Sequence, residues 1–443
     1  MLRVLAAGGI AAALAIWLLS PAPRRRQIQL PPGVVEIRGA MHIGNNVEVV
    51  GSPRGTVLRM AAAYPDAALI AAGDNVYLHD FAIDGSRDAQ EVRQGLPPSD
   101  RPFAGFTRGN GITADGRRGV SIRNVRFRNI AGFAILISRS HNVSIDQVSV
   151  ENSGSRNASG RNNATGGILI EEGSTDFRVT RCTLRGIRGN GIWTHSLYSS
   201  PRNARGIFEG NRFDTIGRDA LQAGHATEIR IEDNAGFRIG YPIAEVDATP
   251  VGVDTAGNVD RSTYAGNRFR DINGKCLDLD GFHDGEVRGN ACADLTGYGI
   301  VMNNTNPDMR STNVRIVDNL IDGAAYGGVF VIGTNNLVAH NRLLNLNTAH
   351  CNVGSVCYYA SGEPDMLRSG IYLGKGAERP APARNNVIED NQITGYEMSA
   401  RCIGRAPAIE RDWNVIRNNS CGGFSHLRLQ SLDGLFDLPV VPR

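Results

Sequence analysis

Along most of the chain, short apolar runs with alternating polar positions are separated by Gly and Asn, the pattern of strands joined by tight turns. From Val34 the runs read VVEIRGAMHI, NVEVVGS, TVLRM and NVYLHDFAIDG. A segment from Arg87 to Arg108, rich in Pro, Arg and Gln, interrupts them as a loop. GNGITADG then opens a series of equivalent phrases: GFAILIS, GGILIEE, GNGIWTH, GRDALQA, PIAEVDA, GKCLDLD, GYGIVMN, GGVFVIG and SGIYLGK. Self-similarity on this scale predicts a stack of coils.

Counting tests the repeat. Take as zero the apolar landmark of each phrase: Ile135, Ile192, Leu221, Ala244, Leu277, Ile300 and Val329. Thirteen positions earlier stand Ile122, Val179, Phe208, Ile231, Tyr264, Val287 and Ile316, all apolar or aromatic. Eight positions earlier the column is apolar except at Gly236, and ten positions earlier Asn recurs at Asn211, Asn234, Asn267, Asn290 and Asn319. Such columns predict about three short strands per coil, each pairing with its equivalent in the next coil at roughly 4.8 Å. The Asn column suits tight turns, because Asn tolerates left-handed backbone and its amide can hydrogen-bond along the stack. PVGVDTAG is a second candidate landmark between Leu221 and Leu277, and would place Asp254 in the outward column. The Ala244 register is preferred because Ile231 and Asn234 then fall at their expected offsets.

The recurring N-V-x-I-x-x-N-x-F and G-I-x-hydrophobic phrases resemble the repeat of the right-handed parallel β-helix proteins, the pectate-lyase-like superfamily. The expected fold class is therefore all-β, a right-handed parallel β-helix solenoid of about ten or more coils over residues 34–425, with 426–443 as a C-terminal tail or cap. The handedness comes from the resemblance. Proteins of this shape include polysaccharide lyases, glycoside hydrolases, uronan epimerases, tailspikes and adhesins, so the implied partner is a polysaccharide.

Composition narrows the function classes. Gly is abundant at 53 residues and aromatics make up 6%, as many turns require. The balance of 47 Lys+Arg against 44 Asp+Glu, with no basic stripe, argues against a nucleic-acid partner. Residues 1–26 read as a signal peptide or membrane anchor around the apolar run Val4 to Leu19, which predicts export and a membrane link through that segment alone. Seven Cys without CxxC or zinc-like spacing fit an oxidising compartment, with Cys351–Cys357, Cys402–Cys421 and Cys276–Cys292 as candidate pairs and Cys182 left over.

The chemistry is sought on the outward columns of the landmark strands. One column reads Trp193, Gln222, Glu245, Asp278 and Val301; the other reads His195, Gly224, Asp247, Asp280 and Asn303. Two adjacent coils should then stack Glu245 on Asp278 and Asp247 on Asp280, and these four carboxylates form a candidate Ca²⁺ site. Asp219, Asp278 and Asp280 are candidate catalytic carboxylates, with Lys275, His225, His283 and Tyr298 as proton carriers for hydrolase, lyase or C5-epimerase chemistry. Trp193, His195, Gln222 and Asn303 are candidate sugar contacts, exposed Trp being a common platform for a sugar ring. Outward acids on a solenoid are ordinarily solvated, so a non-catalytic glycan-binding or adhesin role is the competing class. The insertions Ser153 to Thr165, Ser196 to Arg205, Asn303 to Thr312, Asn347 to Ser369 and Gly374 to Arg384 would wall a groove if they leave the coils at one face.

Overall fold

A computed structural model describes residues 25–90, 97–162, 165–304, 309–352, 357, 363–376 and 379–424. The Val4 to Leu19 segment and the 426–443 tail lie outside the described residues. Among the described residues no helix is long and apolar enough to cross a membrane.

Strands stack from Arg26 to Gly422 in a 14-stranded parallel sheet and a 28-stranded one that carries the other two strands of each coil. The chain is thus a parallel β-helix with three strands per coil. Its landmark strands form one face of the larger sheet. Six of them matter here: β1 (Gly166–Glu171), β2 (Ile192–His195), β3 (Leu221–Thr227), β4 (Val251–Asp260), β5 (Lys275–Asp280) and β6 (Ile300–Asn303). Ile168, Ile192, Leu221, Val253, Leu277 and Ile300 lie in register along this stack. All are at most 1% exposed. Each such side chain contributes about 1.5–3 kcal/mol through burial, so the column itself holds neighbouring coils in register.

The register of one coil differs from the expectation. Val253, not Ala244, pairs with both Leu221 and Leu277. Val253 follows Ile231 by 22 positions, whereas the other landmarks follow by 13, because residues 240–250 are inserted ahead of β4. Fixed-offset counting therefore landed inside the insertion. Glu245 belongs to a short 3-10 turn, Ile243–Glu245, and Asp247 follows it. Neither stacks on Asp278 or Asp280: Glu245 forms an ion pair with Arg156, and Asp247 accepts from Asn157 Nδ2 at 2.7 Å. The expected four-carboxylate calcium site is not assembled, since Asp254 occupies the place given to Glu245.

The Asn column is a buried ladder. Nδ2 of Asn211, Asn234, Asn267 and Asn290 each donates to Oδ1 of the next Asn at 2.9–3.0 Å, and the ladder runs on from Asn319 through Asn341 and Asn391 to Asn419. The left-handed backbone falls one residue earlier, at Gly210, Asp233, Gly266, Gly289 and Asp318. Asn thus supplies the inter-coil amide bonds, and its predecessor makes the corner. Disulfides join Cys276–Cys292, Cys351–Cys357 and Cys402–Cys421, and Cys182 is free and buried.

The insertions all flank the landmark face. Residues 87–108, 153–165, 240–250 and 347–369 precede a landmark strand, while 196–205, 303–312 and 374–384 follow one. Among the described residues the landmark sheet is therefore a floor whose strands are entered and left through these insertions.

Candidate active site

Three aspartates from three successive coils converge on this floor. Asp254 on β4 is the register partner of Gln222 on β3 and of Asp278 on β5. Alternation along each strand turns these side chains outward, at the roughly 4.8 Å spacing of adjacent strands. Asp219 sits two residues ahead of Leu221, and its Oδ1 accepts the Val251 N–H of the next coil at 3.0 Å. That bond turns its carboxyl toward β4, and Asp219 is only 4% exposed.

Burial sets the charge of the cluster. It pushes Asp219 up to about 6; Arg218, the Val251 amide and Lys275 pull the other way, and Asp278 adds to the rise. Burial and the neighbouring Asp219 and Asp278 carboxyls hold Asp254 well above the ordinary carboxylate range. Three carboxylates this close cannot all ionise without cost, so the cluster retains a proton at mildly acidic pH. Lys275 forms an ion pair with Asp278, three residues along the same strand. Gln222 donates to Asp254 and accepts from Asn190 Nδ2 at 3.0 Å, which fixes the Gln222 amide and hence its donor. Asp278 Oδ1 is buried without a hydrogen-bond partner among the described residues.

The cluster lies between two clefts along the floor. One, of about 360 Å³, is lined by Gln222, Arg218, Arg101, Trp193 and Tyr198. The other, of about 580 Å³, is lined by Lys275, Asp247, Tyr298, Val301 and Tyr326. A larger depression of about 680 Å³ lies on a different face, over Asp146 and its ion-pair partners Arg123 and Arg181. Its lining mixes Arg with Asp and Glu, and it holds none of the converging aspartates.

The remaining candidates are distributed as follows. Asp280 pairs in register with Asn303 in the second outward column; burial pushes Tyr198 up, and the Asp280 charge adds to the rise. His225 stacks edge-on against Tyr198 with ring centroids 5.0 Å apart, and burial lowers its pKa. His283 is taken up by Asp284 at 2.7 Å and Asn258 at 3.0 Å at a coil corner. Tyr298 is buried, and its hydroxyl donates to the Met366 carbonyl at 3.1 Å. None of these four joins the aspartate cluster. Trp193 is not the exposed platform expected: at 7% exposure it is covered by Phe103, whose ring lies 5.0 Å away edge-on. The covering turn, Phe103–Gly105, is held by Glu171, which accepts from the Phe103 and Ala104 amides at 2.9 and 2.8 Å. Glu171, Glu172 and His195 have ligand atoms within 4.8 Å of one another, a separate polar knot beneath that turn.

The preferred register leaves Asp254 out of the outward column, where the PVGVDTAG alternative puts it, and gives no role to Asn190, Arg218 or Glu171. Asp254 alone carried a signal: PVGVDTAG has the small-apolar-acidic alternation of a landmark, and it was displaced by the insertion. Asn190 stands two positions ahead of Ile192, as Asp219 does ahead of Leu221, with nothing to mark its amide as functional, and Arg218 lies in a turn on which the repeat imposes no pattern.

No curated protein sequence matches the chain. The catalytic domain of a GH87 alpha-1,3-glucanase in complex with nigerose superposes with a TM-score of 0.52 at 13% identity, over 96% of this chain and 67% of that one. PfbA, a surface adhesin of Streptococcus pneumoniae, gives 0.52 at 14% identity over 71% and 82% of the two chains. The Dettilon tailspike protein gives 0.50 at 13% identity over 72% of this chain and 60% of its own. At such identities the likeness is one of fold. A family profile described as the right-handed β-helix region matches residues 105–237 and 166–345, together more than half of the sequence. The chain belongs to the right-handed β-helix family.

Proposed function

We propose that the protein is an exported enzyme that hydrolyses glycosidic bonds in a polysaccharide, with uronic-acid-containing polymers the first class to test. The observation that carries this reading is the convergence of Asp219, Asp254 and Asp278 on a loop-flanked floor between two clefts. A polymer lying across the coils would occupy both clefts and pass over the aspartates.

In this scheme Asp254 is the general acid. Its raised pKa keeps the proton that the leaving oxygen needs, and it is more accessible than Asp219, which stands behind it. Asp278 is the carboxylate, its charge balanced by Lys275 and one oxygen without a hydrogen-bond partner among the described residues. As the C1–O bond breaks, the proton passes from Asp254 to the departing oxygen. Asp278 either removes a proton from the water that attacks C1, or attacks C1 itself to form a glycosyl ester, which a water deprotonated by the now ionised Asp254 then cleaves to regenerate the Asp278 carboxylate. Either way the products are a new reducing end and a new hydroxyl. Hydrolysis is favoured over β-elimination or epimerisation because Lys275 and Tyr298, the bases those reactions would use, are engaged with Asp278 and Met366. Three disulfides and the apolar Val4 to Leu19 segment support export.

The test is incubation with pectate, alginate, glycosaminoglycans and neutral glucans, following reducing ends and ultraviolet absorbance in parallel, with and without chelator. Reducing ends without unsaturated products, insensitive to chelator, are expected. Unsaturated products would establish a lyase. Binding without any cleavage would leave the adhesin-like reading, which shares this fold.

A further inference from the structure

The cleft beside Gln222 is charged in one sense only. Among its described lining residues are two guanidiniums, Arg101 and Arg218, and no carboxylate. Neither guanidinium makes a hydrogen bond or ion pair with the protein among the described residues, and the Arg218 Nε is buried without a partner. Many arginines on the strand stacks are paired, as Arg181 is with Asp146 and Arg238 with Asp214. Arg212 and Arg268 show that an exposed strand Arg also stands alone among the described residues, so the buried Arg218 Nε is the informative feature. The half-buried Arg218, whose charge reaches Asp219 but whose Nε meets neither water nor a described partner, is costly unless an anion meets it. Arg101 is exposed and solvated, and the forked donors of both match a carboxylate or sulfate. At the mouth of the same cleft Tyr198 is 62% exposed, held edge-on by His225. An exposed aromatic ring beside hydrogen-bond donors is the usual surface for a sugar ring.

We infer that this cleft is a subsite for an anionic sugar residue, with Arg101 and Arg218 receiving its carboxylate or sulfate and Tyr198 stacking on its ring. The inference rests on the glycan reading of the adjoining aspartates. The opposite cleft carries Asp247 with Lys275 and Tyr, Met and Leu side chains, so the two sides of the scissile position differ in charge. A chain would therefore bind in one direction, with an acidic unit on the Arg218 side.

Binding of oligogalacturonate, the same oligomer after carboxyl reduction, and chondroitin with and without its sulfates would be measured by calorimetry on the full chain. Wild type should bind anionic oligomers at least tenfold more tightly than the carboxyl-reduced one. Loss of affinity on carboxyl reduction assigns the carboxylate; loss on desulfation assigns the sulfate. Arg101→Gln and Arg218→Gln should each narrow the gap, and the double variant should bring it within about twofold, while Tyr198→Ala weakens charged and neutral oligomers alike. Equal binding of charged and reduced oligomers, a gap that survives the double substitution, or no binding of any anionic oligomer overturns the subsite. These binding readouts are independent of turnover. Charge preference without cleavage would retain the subsite and remove the hydrolase reading, and cleavage of neutral glucan without charge preference would do the reverse.

Discussion

Asp254 lies directly opposite Asp278 in the parallel ladder between adjacent coils, and Asp219 reaches the same coil as Asp254 through the Val251 amide. If Asp254 and Asp278 share acid and base work, neither can be replaced by an amide. Asp254→Asn and Asp278→Asn should each lower kcat by about 10² or more, measured as reducing ends released, with far-UV circular dichroism unchanged. Full activity in either variant removes that residue from the scheme.

The same burial predicts a pH dependence of stability with a definite sign. Asp219 is pushed up to about 6 in the folded chain from an ordinary value of 3.8, so the folded state holds its proton more tightly than the unfolded state. Its favourable contribution is complete below pH about 4 and is lost as pH rises to about 6. Asp219→Asn keeps an acceptor for the Val251 amide but removes the charge. It should therefore raise the thermal midpoint at pH 7 and leave it nearly unchanged at pH 4. A variant less stable than wild type at both pH values would contradict this account.

Activity should respond to pH through the coupled Asp219 and Asp254 carboxyls. Both are held above the ordinary range, chiefly by burial, so the protonated acid persists at mildly acidic pH and kcat/KM falls as pH rises and that proton is lost. Gln222→Ala removes the donor to Asp254. Without it the carboxylate is less favoured, and the alkaline limb should move to higher pH. An unmoved limb would show that a group outside the cluster sets it.

The architecture was legible because each column answers to one physical demand. Leu277 and Ile300 must be apolar to fill the coil, Asn267 and Asn290 must carry amides to bridge coils, and the Cys pairs stand near one another in sequence. The site was half legible. Asp219, Lys275, Asp278 and Gln222 fell in the right columns, but Asp254 was displaced by the 240–250 insertion, since a loop changes the count without changing the fold. The fate of Trp193 was hidden for a related reason: the turn that covers it comes from the non-repetitive 87–108 segment, where no column predicts contact.

The Asn ladder should be a main source of stability between coils. Asn267 Nδ2 donates to Asn290 Oδ1 and to the Ile231 carbonyl, each at 2.9 Å, and its Oδ1 accepts from the Asn234 amide and side chain. Asn267→Ala leaves several buried polar groups without partners at about 1–3 kcal/mol each. A fall in unfolding free energy of roughly 2–5 kcal/mol is expected by denaturant titration. Faster amide exchange should follow in the coils on either side. A change below about 1 kcal/mol would mean that water replaces the lost amide.

Glu171 should act as the clasp of the turn that closes one end of the groove. It accepts the Phe103 and Ala104 amides, and Phe103 in turn covers Trp193 beside Phe133, Leu136 and Leu169. Burial pushes Glu171 up to about 7, so at pH 8 it is mostly ionised and its bonds to the two amides are charge-assisted. Glu171→Ala removes both bonds while leaving the β1 backbone ladder to β2 intact. The turn should then lift, and acrylamide quenching of Trp193 at pH 8 should rise severalfold over wild type. Trp193→Phe measured in parallel subtracts the signal of the other tryptophans. Unchanged quenching would show that the Phe103 contacts alone hold the turn. Increased quenching together with weaker binding of anionic oligomers would tie the clasp to the Arg101 side of the groove, because Arg101 and Phe103 are carried by the same segment.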